Sequence, residues 1–138
     1  MNDLAPPVPV VDPKRPPTAV LWTGRVLSVL VTLLFLMSAV GKFFVSPQME
    51  EGVEKLGIPM DIMVPLGILE ATIALIYFVP QTAVLGAILL TGYMGGTIIT
   101  HWRVGDNFVF NIIIGVVVWL GIFLRDRRLW DLLPWRRV

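Results

Sequence analysis

The chain has 138 residues, 56% of them apolar and 15% charged, with a mean hydropathy of +0.79, which is too apolar for an ordinary soluble domain of this length. A net charge of +1 and the lack of a basic patch interleaved with aromatics exclude a nucleic-acid partner. Cysteine is absent, so disulfides, thiolate metal sites and thiol redox chemistry carried by the chain are excluded.

Residues 1–20 open the chain with six prolines before position 18 and the charges Asp3, Asp12, Lys14 and Arg15, a composition expected to form a disordered cytoplasmic tail. Four apolar runs follow in a membrane domain of residues 21–133. A bilayer core takes about 20 helical residues to cross. The first run, about 21–44, has no charge between Arg25 and Lys42. Ala39-Val40-Gly41 resembles a signal-peptide cleavage site, but the run is too long for one and cleavage would leave three spans. Residues 46–57 are expected to form a short interfacial helix, capped by Ser46, started by Pro47 and stopped by Gly57. Met49, Val53 and Leu56 make its apolar stripe, opposite Glu50, Glu51, Glu54 and Lys55.

The second span, about 61–79, contains Glu70 and tolerates Pro65 near its start. Pro80 ends it, and the turn is short enough to force an antiparallel hairpin into the third span, about 81–101. The fourth run is about 108–124. Residues 125–138 form a basic and aromatic cytoplasmic tail, with Trp130 and Trp135 among Leu129, Leu132, Leu133 and five arginines. The fold class expected is therefore all-α, an integral membrane antiparallel four-helix bundle. Basic residues before the first span and after the fourth are expected to place both termini in the cytoplasm. Four crossings require the same arrangement.

Small residues mark helix contacts. Ala83, Ala87, Thr91 and Gly95 recur every fourth position, Gly92 and Gly96 form a G-x-x-x-G pair, and Gly67, Ala71, Ala74 and Asn111 with Gly115 offer matching faces. Packing within the chain is the expected use, with a homo-oligomer face as the alternative.

The candidate binding residues are Lys42, Glu70, Tyr93, Thr97, His101 and Asn111. Glu70 is the only Asp, Glu, Lys or Arg between Ile62 and Trp102, roughly 14 Å into its span, and a charge at such depth normally faces a bundle interior and a partner. Tyr93, Thr97 and His101 share a helix face at i, i+4, i+8, and Lys42 ends the first span on the same side. All six are expected to converge on a cavity open to the outside. Five have a plainer use: Lys42 snorkelling to headgroups, His101 marking the membrane boundary, Asn111 and Thr97 bonding helix to helix, and Glu70 simply protonated or salt-bridged. One histidine and no cysteine make a poor metal site, and no phosphate loop, nucleophile elbow or catalytic carboxylate pair is visible. The chain is not expected to be an enzyme by itself.

Gly41-Lys42-Phe43, Leu56-Gly57-Ile58-Pro59, Leu69-Glu70 and His101-Trp102-Arg103-Val104-Gly105-Asp106, in that order on a four-span frame, resemble the DoxX-like family over residues 21–133. The resemblance implies a small bacterial four-helix membrane protein. It further implies a membrane subunit of a quinone-linked oxidoreductase, or a partner in an oxidative-stress complex, with quinone as the implied ligand and a membrane or soluble oxidoreductase as the implied partner. The alternatives are a structural or assembly protein and a small proton-coupled transporter using Glu70.

Overall fold

A computed structural model describes residues 17–132. Among them the chain is helical throughout its regular structure: α1 (Thr18–Gly41), α2 (Pro47–Lys55), α3 (Met63–Phe78), α4 (Ala83–Arg103) and α5 (Val109–Arg125), with 3₁₀ turns at Met60–Ile62 and Arg127–Asp131. The chain is a multi-pass membrane protein in contact with the lipid bilayer. Three helical segments, Thr18–Gly41, Met60–Phe78 and Ala83–Arg103, are long and apolar enough to cross. The fourth, α5, is apolar but has 17 residues, the lower limit for a span.

The expected elements are present with shifted ends. α1 begins at Thr18, inside the stretch read as tail, and stops at Gly41, so that Phe43 and Phe44 lie in the turn beyond it. The rest of the proline-rich tail, and Leu133, Trp135 and the last arginines, lie outside the described residues. α2 starts as the sequence requires: Pro47 is its first residue and the Ser46 hydroxyl accepts from the Met49 N–H at 3.3 Å. Gly57 ends it at φ +65°, a conformation that favours glycine. Pro65 is the third residue of α3, where its missing N–H breaks no intrahelical bond.

Helix α1 packs on α3 and α5, α3 packs on α4, and α4 closes the ring against α5. The core is a column of Val31, Phe35, Ile73, Ala74, Tyr77, Ala87, Leu90, Val118 and Ile122. At the end of the bundle near the described termini it is dense and hydrogen-bonded. Tyr77 is fully buried, donates to the Val118 carbonyl at 2.8 Å and reaches the Ser28 hydroxyl at 3.4 Å. Arg125 donates to the Tyr77 carbonyl at 3.1 Å. The hairpin between α3 and α4 is tightest at Gly86, where a Cβ would overlap the Tyr77 backbone.

The small-residue pattern divides along α4. Ala83 and Ala87 are buried, and Thr91 accepts from Trp119 Nε1 at 2.8 Å. Gly92, Gly95 and Gly96 have open space where a side chain would stand, as does Gly115 on α5. The expectation that the Gly92/Gly96 pair and Gly115 pack within the chain is thus corrected. The helices are in close contact at the Tyr77 end, and toward the other the faces of α4 and α5 that carry these glycines stand open, which makes room for a cavity.

Candidate functional site

A cavity of about 580 Å³ lies at the end remote from the described termini. That volume is in the range of small-molecule sites. Lys42, Glu70, Tyr93, Thr97, His101 and Asn111 all line it, one or more from each of α3, α4 and α5 and Lys42 from the residue capping α1. The rest of the wall is mainly apolar, with Phe35 and Met94 toward the core and Ile114 on α5.

Its polar centre is an ion pair. Lys42 Nζ meets Glu70 Oε2 at 2.5 Å, with the two side chains 13% and 3% exposed. Lys42 therefore turns inward and does not snorkel to the headgroups. The register that permits this comes from α1: Ser38 lies one turn before Lys42, and its hydroxyl and carbonyl accept from the same ammonium at 2.9 and 3.4 Å. An ammonium has three protons, and three acceptors surround it. Gly67 lets α3 approach α1 one turn before Glu70, against the Ala39 carbonyl and Phe43. On the other wall, Tyr93 packs edge-on against Phe35 at 6.2 Å and lines the same cavity as Glu70.

Thr97 donates to the Met94 carbonyl of its own helix at 2.8 Å, so it does not bond helix to helix. Asn111 does not either. Its Nδ2 is the one buried side-chain polar atom without a hydrogen-bond partner among the described residues. An unmet buried donor costs about 1–3 kcal/mol.

Helix α2 roofs the cavity. Met49, Val53 and Leu56 face it, the three residues expected as the apolar stripe, and Val53 is buried. Two polar contacts hold this roof to the end of α4 and the loop after it. Arg103 Nη2 donates to the Leu56 carbonyl at 2.6 Å, and Lys55 Nζ lies 3.7 Å from Asp106 Oδ1. The other oxygen, Asp106 Oδ2, meets His101 Nδ1 at 3.1 Å. His101 therefore links the cavity wall to the loop that holds the roof. The Asp106 carboxyl is held below its usual value, chiefly by the Asn107 N–H that it accepts and then by His101.

Sequence reasoning named the six polar residues but missed their supports. Ser38 was detectable as a hydroxyl four residues before a lysine, and Asp106 as a carboxylate five after a histidine. Phe35 gave no signal beyond hydrophobicity. Among the described residues no three His, Asp or Glu side chains gather as a metal site.

The family model of the DoxX-like family matches residues 26–122, from early in α1 to late in α5. The chain belongs to the DoxX-like family. No curated protein and no solved structure matches it. The matched residues include the whole of α2, α3 and α4 and all six polar cavity residues, so both the roof and the ion pair lie within the family domain.

Proposed function

We propose that this DoxX-like protein is a non-catalytic membrane subunit that holds a small ligand in the cavity between its helices. In this reading α1, α3, α4 and α5 cross the inner membrane as an antiparallel four-helix bundle, α2 lies on the outer surface, and both termini are cytoplasmic. The observation that carries it is the 580 Å³ cavity with Lys42, Glu70, Tyr93, Thr97, His101 and Asn111 on its wall, since polar groups are costly at membrane depth unless they serve a site or a partner. The dense Tyr77 layer below the cavity favours a one-sided pocket over a conduit.

The redox-complex reading follows from the same pocket: Tyr93 and His101 are suited to bond the oxygens of a quinone held there. Purification from native membranes under mild detergent tests it, together with binding of a decyl-substituted benzoquinone to the pure chain in lipid nanodiscs. A stoichiometric oxidoreductase partner and saturable quinone binding support the reading. Absence of both a partner and saturable quinone binding overturns it. Proton-coupled transport by Glu70 requires the carboxylate to leave Lys42, and uptake by the chain alone in proteoliposomes would favour that alternative.

A further inference from the structure

The charges within the cavity are already spent on one another. Lys42 gives its protons to Glu70 and to both oxygens of Ser38, and the Glu70 carboxylate is paired with Lys42. At the rim His101 bonds Asp106, which also faces Lys55. A charged ligand would find no free counter-charge, and it would lose its hydration among apolar walls. Uncommitted hydrogen-bonding capacity remains at the second nitrogen of His101 and at Asn111, whose Nδ2 has no partner. Asn111 lines the cavity, and its unmet donor is the one such buried atom among the described residues. The remainder of the wall, Phe35, Val53, Met63, Met94 and Ile114, suits an apolar body.

We infer that the cavity selects an uncharged amphiphile with a carbonyl-type acceptor head, bonded by Asn111, and excludes fatty acids and alkyl amines of the same length. This inference rests on the reading of the cavity as a ligand site; a quinone is one member of the class, and what is added is the exclusion of charged amphiphiles and Asn111 as a donor to the head. Net charge is decided by the closed Lys42–Glu70 pair, and head-group polarity by Asn111.

The test uses the full chain in lipid nanodiscs with methionine methyl groups labelled for NMR. Met49, Met63 and Met94 line the cavity, while Met37 is 75% exposed on the outside of α1 and reports probe dissolved in the lipid. Four probes of matched length are titrated: 2-dodecanone, dodecane, dodecanoate and dodecylammonium. The ketone is expected to shift the Met63 and Met94 methyls saturably, at least tenfold more tightly than either charged probe. Asn111→Leu, which removes the unmet donor, is expected to weaken the ketone about tenfold without affecting dodecane. Because the ranking of probes is made on the unaltered chain, it does not depend on how the variant folds. Equal or tighter cavity binding of dodecanoate or dodecylammonium overturns the inference while leaving a ligand site in place, and so does ketone binding indifferent to Asn111→Leu. Shifts at Met37 alone, for all four probes, overturn the site itself.

Discussion

Lys42 and Glu70 are unequal partners, because only one of them can leave. Lys42 has a long stem near a helix end and reaches headgroups if its partner is lost, whereas Glu70, 3% exposed on α3, has nowhere to go. Lys42→Met is therefore expected to destabilise by about 3 kcal/mol, the lower end of the cost of stranding one partner of a buried pair, and Glu70→Gln by only about 1 kcal/mol. The double variant should recover most of the Lys42→Met loss. Thermal unfolding of the four proteins in nanodiscs measures the cycle, and equal single losses would refute the asymmetry. At the rim, Asp106 has a lowered pKa, so the contact of its carboxylate with Asn107 and His101 is complete above the usual value of 3.8 and is lost as pH falls through the depressed folded value. The Asn107 amide proton shift should titrate below pH 4, in the acid range set by that depressed value, and Asp106→Asn should abolish the titration.

Among the elements, α4 shows how one helix can seal at one end and open at the other. Gly86 stands where the Tyr77 backbone leaves no room, so Gly86→Ala should cost about 1–3 kcal/mol through overpacking. Gly92 meets nothing, and Gly92→Ala should be neutral or stabilise by up to about 1 kcal/mol through helix propensity. Chemical or thermal melting of the two variants separates these outcomes. A clear loss for Gly92→Ala would show that another chain occupies that face. Helix α2 depends on few fixed contacts, its bond from Arg103 to Leu56 among them. Arg103→Ala should speed amide exchange in residues 49–58 about tenfold, the effect of roughly 1.4 kcal/mol from one charge-assisted bond at a partly exposed site. Exchange of the α3 core amides should stay unchanged.

For the whole molecule the decisive question is whether the 17 residues of α5 cross the membrane. If they do, both ends of the described chain share one side and α2 lies on the other. The absence of cysteine makes this directly measurable, since any introduced cysteine is the sole thiol. In intact cells an impermeant maleimide should label Gly52→Cys on α2 and should not label Pro17→Cys or Leu132→Cys. Labelling of Leu132→Cys together with Gly52→Cys would leave α5 on the outer surface and end the four-crossing arrangement.

Much of this protein follows from composition and period alone. Long apolar runs, Pro80 and the Ser46-Pro47 start set the helices and their order, because backbone groups in lipid must bond within their own segment. The six polar residues could be picked out for the same reason, since each is expensive where its helix places it. What a one-dimensional pattern does not encode is relative rotation and spacing of the helices. Whether Lys42 turns in or out, whether glycines meet a neighbour or stand open, and whether Thr97 bonds its own helix or another are consequences of how closely the helices approach. Gly86 lets α3 and α4 close together at one end, and at the other the Lys42–Glu70 pair ties α1 to α3 while the glycines of α4 and α5 stand open. Identity and depth of the polar groups were thus inherent in the sequence, while the tertiary packing alone decided that they share one cavity under α2.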